Sequence, residues 1–130
     1  MPSNRREFMT EAGVVLALES YLSAEDNLKI LGRVGSPTVR VYYNVGNSQA
    51  AGYHIFEEIR LLGDRIAEIH AKDTKGLYGK GSMDFVSVRR AMDGIGYRGR
   101  LVLEGTEMPL GPEEKVRYDA EYLRTVFLAK

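Results

Sequence analysis

Cysteine is absent from the sequence, which excludes disulfides and thiolate metal sites and leaves the redox compartment open. Any metal held by the chain therefore sits on oxygen and nitrogen. An excess of charge of one sign is absent too. Eighteen basic residues balance eighteen acidic ones, so there is no electrostatic footprint for a phosphate backbone or an anionic membrane. Nucleic acid is not an expected partner. Long apolar runs are also missing: the most apolar stretch, Ala12 to Leu18, stops at Glu19, far short of the roughly 18 residues that a membrane span needs. No integral membrane protein is expected. Ahead of this stretch, Asn4-Arg5-Arg6-Glu7-Phe8-Met9 resembles a twin-arginine export signal. Glu11 and Glu19 bracket an apolar segment shorter than a comfortable signal core, so residues 1–12 are read as the end of a helix leading into a strand. A cytoplasmic location follows, with export as the alternative.

What is present is the material of one packed domain over residues 1–130, with 44% hydrophobic and 28% charged residues, close to the soluble globular average. Four short apolar runs stand out: Val14 to Leu18, Val39 to Tyr43, Ile66 to Ile69 and Leu101 to Leu103. Their length and their β-branched or aromatic content predict buried strands. A longer amphipathic segment follows each. The first opens at Ser23-Ala24-Glu25-Asp26 and closes at Gly35-Ser36-Pro37, as a capped helix does. The second places Ile55, Ile59 and Leu62 on one face before Gly63, and the third has Asp84 as a cap ahead of Phe85, Val88, Met92 and Ile95. The fourth runs from Pro112 to Leu128, with proline and acids at its start. Strands alternating with helices predict a parallel sheet with right-handed crossovers. A doubly wound sheet usually carries a glycine-rich phosphate turn after its first strand; here that position reads Glu19-Ser20-Tyr21. The expected fold class is therefore α/β, a parallel (βα)4 segment of a (β/α)8 barrel. At 130 residues the chain is about half of the roughly 250 typical of the closed barrel.

Each apolar run closes on a potential ligand: Glu19, Asn44, His70 and Glu104. In a parallel barrel the carboxyl ends of the strands meet at one rim, so these four side chains are expected to converge. Two carboxylates, an imidazole and an amide oxygen suit Mn²⁺, Mg²⁺ or Co²⁺, with Zn²⁺ as an alternative. Taken singly, a polar residue at a strand end only marks where the chain meets solvent. The fourfold recurrence at one structural position makes the metal hypothesis. His54, the other histidine, lies near a helix start and is assigned no role. Alternation also places Arg40 on the side of Asn44, and Glu68 on the side of His70, which predicts that the two charges pair across adjacent strands.

The segments Val14-Val15-Leu16-Ala17-Leu18-Glu19, Val41-Tyr42-Tyr43-Asn44-Val45-Gly46-Asn47, Ile69-His70-Ala71-Lys72-Asp73 and Leu101-Val102-Leu103-Glu104 resemble the xylose isomerase-like sugar phosphate isomerase and epimerase superfamily. Gly79-Lys80-Gly81-Ser82-Met83-Asp84-Phe85 with Ile95-Gly96-Tyr97 resembles its segment between the seventh and eighth strands. The resemblance implies that the four strands correspond to strands five to eight, without the first four. It implies that Glu19, Asn44, His70 and Glu104 hold a divalent metal. Glu19 and Glu104 would exchange a proton next to a sugar carbonyl, one on each face, while the metal stabilises the enediolate. Asn47, and more weakly Lys72, Asp73 and Lys80, would contact a small sugar or polyol. The departure is Asn44, where the superfamily usually has Asp. A half-barrel exposes strand edges, so a homo-oligomer or a complementing half-barrel is expected. The competing readings are a truncated, non-catalytic remnant and an abasic-site nuclease. The neutral charge and the single usable histidine argue against the nuclease.

Overall fold

The computed structural model describes residues 13–105 and 110–128; the twin-arginine-like segment lies outside them. Four parallel strands, β1 (Leu16–Leu18), β2 (Val39–Asn44), β3 (Ile66–Ala71) and β4 (Leu101–Leu103), form one sheet in sequence order. Among the described residues, five α-helices connect or follow them: α1 (Ala24–Val34), α2 (Val45–Ala50), α3 (Ile55–Leu62), α4 (Phe85–Gly94) and α5 (Pro112–Phe127). This is the βαβα order and parallel pairing of a barrel segment.

Local chemistry explains most boundaries. Ser23 caps α1 by accepting the Asp26 N–H at 3.2 Å, and Gly35, at φ 61°, ends it in the left-handed conformation that glycine adopts without steric cost. Asp84 caps α4 by accepting the Ser87 N–H at 3.0 Å. α3 ends at Gly63, from which a 3₁₀ turn (Gly63–Arg65) leads directly into β3. The first strand is shorter than its apolar run. Val14 and Val15 precede β1 and are exposed.

Alternation along the strands divides the sheet into two faces. Val39, Val41 and Tyr43 of β2, with Ile66, Ile69 and Ala71 of β3, are buried under the helices. There they join Leu31 of α1, Ile59 of α3 and Val88 of α4 in one core. α1 packs on α3, α3 on α4 and α4 on α5, so the helices form a single layer. The opposite face carries Ala17, Arg40, Tyr42, Glu68, His70 and Val102. Among the described residues β1 and β4 each pair on one side only.

Arg40 and Glu68 do not form the expected pair. The β2–β3 register sets Val41 opposite Ile66 but Tyr42 opposite Glu68, stepping over Ala67. Glu68 thus stands opposite Tyr42, and Arg40 precedes the first β2–β3 pair, Val41 with Ile66. Arg40 is exposed, and its Nε–H donates to the Pro37 carbonyl at 3.4 Å.

Candidate metal centre

The carboxyl ends of the four strands bring Glu19, Asn44, His70 and Glu104 together. Asn44 ends β2 directly opposite His70 of β3, while Glu19 and Glu104 are the first residues past β1 and β4. The Glu104 N–H donates to the Ala71 carbonyl at 2.9 Å, which extends the β3–β4 ladder to the carboxylate. One ligand atom each from Glu19, His70 and Glu104 lie within 4.8 Å of one another. His70 Nδ1 is 2.5 Å from Glu19 Oε2 and 3.8 Å from Glu104 Oε2. It is nevertheless a buried atom with no hydrogen-bond partner among the described residues. Two carboxylates and a buried imidazole nitrogen this close together fit a bound cation.

Two further nitrogens enter the cluster. Lys72 Nζ is 3.0 Å from Glu104 Oε1 and donates to Asn47 Oδ1 at 3.2 Å. Gly46 makes room for it, since a Cβ there would lie 2.6 Å from Lys72 Cγ. The Asn44 side-chain amide donates to Glu104 Oε2, and lies 3.5 Å from Glu19 Oε1. Burial pushes the Glu104 carboxyl up, but the hydrogen bonds from Lys72 and Asn44, with the positive charge of Lys72, outweigh it and hold the carboxyl below its ordinary range. Glu104 is therefore ionised at neutral pH.

Sequence reasoning missed two features of this cluster. The first is α2, whose N-cap is Asn44 itself: Oδ1 accepts the Asn47 N–H at 3.0 Å. The Asn-x-x-Asn spacing at the end of a strand was the available signal. The second is Tyr42, two residues before Asn44 on the same face, whose ring stacks on His70 with centroids 4.0 Å apart and planes 22° from parallel. Burial and then the charge of Glu68 push the Tyr42 phenol up to about 12, so it stays neutral. A ring lying on the imidazole fixes its plane. Tyr42→Ala is expected to weaken divalent-metal binding about tenfold, as loss of a group that orients a metal ligand does, and titration calorimetry checks this.

The remaining expected substrate contacts divide. Asn47 is buried, and both it and Lys72 stand at the cluster. Asp73 does not present its carboxylate to a ligand: it is fully buried and accepts the N–H groups of Lys75, Ser82 and Met83 at 2.9, 3.2 and 2.9 Å. It organises the loop between β3 and α4. A Cβ on Gly81 would strike the same carboxylate, at 2.1 Å. Lys80 is exposed, and its ammonium lies 5.2 Å from the Tyr118 ring centroid on α5 rather than at the cluster. His54 is exposed at the N-cap of α3 and makes no side-chain cap bond.

The same loop is tied to the strand ends by Tyr78, whose hydroxyl donates to the carbonyls of Ala71 and Glu104. The Tyr78 N–H donates to Asp119 at 3.0 Å, and Asp119 is paired with Lys115 at 2.8 Å inside α5. Both charges of that pair are buried. Removing one partner of a buried pair costs about 3–5 kcal/mol, so Lys115→Ala is expected to lower the melting temperature by more than about 10 °C, read by circular dichroism.

The sequence matches the xylose isomerase-like TIM barrel family over residues 7–126. The chain belongs to that family. Among curated relatives it is 35% identical over 83 residues to the protein named "Putative L-ribulose-5-phosphate 3-epimerase SgbU" of Escherichia coli (strain K12), covering 55% of this chain and 29% of that protein. It is 27% identical over 121 residues to the D-psicose 3-epimerase of Enterocloster bolteae, covering 84% of this chain and 40% of the relative. Among solved structures, an L-ribulose 3-epimerase superposes with a TM-score of 0.80 at 18% identity, over 95% of this chain and 50% of the other. That likeness shows the fold. The chain thus spans half or less of these relatives' length, and its sheet matches a xylose isomerase-like barrel in part.

Proposed function

We propose that this chain is the metal-binding part of a sugar or sugar phosphate epimerase or isomerase, moving a proton at the carbon next to a carbonyl. The observation that carries the reading is the convergence of Glu19, His70 and Glu104 at the strand ends, with ligand atoms within 4.8 Å of one another. Its support from relatives is the pair of curated 3-epimerases with which the chain shares sequence. Two carboxylate oxygens and an imidazole nitrogen suit Mn²⁺, Mg²⁺ or Co²⁺, and also Zn²⁺. When bound, such an ion supplies Lewis-acid stabilisation of negative charge developing on a substrate oxygen.

The protein's own groups do the rest. Glu19 and Glu104 approach from opposite ends of the sheet, so each faces a different side of a substrate seated over His70. One takes the proton from carbon and the other returns it on the far side, which inverts the centre. Lys72, which donates to Glu104 and Asn47, has one further N–H donor for a hydroxyl or phosphate oxygen of the substrate. Asn47 adds an amide from the N-terminal turn of α2. The sheet edges at β1 and β4 and the groove beside Leu101, Leu103 and Phe127 are closed by further barrel strands, from a second copy or a complementing half. In that assembly the pocket is completed.

The test is proton exchange. Ketopentoses and ketohexoses, free and phosphorylated, are incubated with the chain and Mn²⁺ in D₂O and followed by NMR. Deuterium entering next to the carbonyl, with the epimer appearing, is the expected result. Its absence with the metal bound would favour the non-catalytic remnant.

A further inference from the structure

The orientation of Asn44 points beyond the general family pattern, and the inference rests on the metal-centre reading above. A backbone N–H can only donate, so the Asn44 atom that receives the Asn47 N–H at 3.0 Å is the oxygen. The amide nitrogen is thereby turned toward the glutamates, donating to Glu104 Oε2 and reaching Glu19 Oε1 at 3.5 Å. The other two carboxylate oxygens meet His70 Nδ1 at 2.5 Å and Lys72 Nζ at 3.0 Å. Each of the four carboxylate oxygens thus faces a nitrogen of the chain itself. An aspartate at this position caps a helix as well as asparagine does. Its second oxygen, however, would lie against two carboxylates, a clustering of like charge that a cation among them relieves.

We propose that Asn44 sets the strength of the divalent-cation site, because its amide NH₂ joins the two glutamates that the cation would bridge and has to yield when the cation binds. The ligand set is then three residues, Glu19, His70 and Glu104, rather than four, and in the metal-free cluster the Asn44 amide and the Lys72 ammonium lie against the glutamate oxygens. The cation is weakly held and exchangeable. The same amide keeps both glutamates in place while the cation is away.

The test uses the full chain with Mn²⁺ alone, comparing wild type, Asn44→Asp and Asn44→Ser by titration calorimetry and by thermal melting in EDTA and in excess Mn²⁺. Asn44→Asp retains the cap and gains a ligand oxygen, so it is expected to bind Mn²⁺ at least about tenfold tighter. It is also expected to melt below wild type in EDTA and to gain more on adding Mn²⁺. Asn44→Ser keeps a capping oxygen and loses the NH₂, so a severalfold gain in affinity is expected without any added charge. Wild-type affinity equal to or above both variants overturns the proposal; if His70→Ala abolishes that binding, the metal centre survives and only the role of Asn44 falls. No saturable Mn²⁺ binding by wild type or Asn44→Asp removes the metal centre itself, and this inference with it.

Discussion

Replacing Asp73 with alanine is expected to cost about 4 kcal/mol or more of stability, since hydrogen bonds to a charged group contribute about 1.5–3 kcal/mol each and three backbone donors lose their acceptor. The carboxylate is fully buried and takes the N–H groups of Lys75, Ser82 and Met83, residues on both arms of the loop between β3 and α4. Alanine leaves those donors beneath the loop with nothing to accept them. For a chain of this size about 4 kcal/mol corresponds to a fall in melting temperature of more than about 10 °C. Asp73→Asn keeps one acceptor oxygen and is expected to lose about half as much stability. Because Tyr78 of the same loop bonds the carbonyls of Ala71 and Glu104, loosening it also shifts the strand ends that carry the cluster. Thermal unfolding followed by circular dichroism measures the first effect. An unchanged melting temperature in Asp73→Ala would mean that the loop is held by other contacts.

The second large effect is expected at Glu104. On the function proposed above, Glu104→Gln removes a proton-transfer group and a ligand together, so deuterium exchange is expected to fall by at least about 10³-fold. The backbone bonds of Glu104, to Ala71 and from Tyr78, are unaffected by the change. The melting temperature is therefore expected to move by only a few degrees. The glutamine amide can present an oxygen to Lys72 or an oxygen to Asn44, but not both, so the cluster loosens without unfolding the sheet. Exchange retained above a tenth of wild type would remove Glu104 from the chemistry.

The sequence read as four strands and four following helices because each strand's helix-facing residues are apolar and each helix repeats its buried positions at helical spacing. Ser23, Gly35, Asp84 and Gly63 punctuate those helices through local chemistry alone, which a single sequence displays. The convergence of Glu19, Asn44, His70 and Glu104 was legible for the same reason: parallel order carries all strand ends to one rim. What a strand pattern does not carry is where a side chain turns once it arrives. Asn44 spends its oxygen on α2, a helix of six residues containing a glycine and therefore weak in periodicity and propensity. Asp73 lies in a motif with Lys72, yet one points to the cluster and the other into its own loop. The Arg40–Glu68 pairing failed because Glu68 stands opposite Tyr42, and the one-residue step at Ala67 carries Arg40 further from it; alternation counted along each strand separately does not reveal register. The stack of Tyr42 on His70 joins neighbouring register positions, since Tyr42 stands opposite Glu68, two residues before the Asn44–His70 pair.

The most direct test of the metal centre is a Mn²⁺ titration of the chain, with free ion followed by electron paramagnetic resonance, in wild type, His70→Ala and Glu104→Ala. Saturable binding of one ion per chain in wild type, lost in both variants while their folded spectra persist, is the expected result. Binding that survives both substitutions, or no saturable binding in wild type, contradicts the assignment of Glu19, His70 and Glu104 as the cation's ligands.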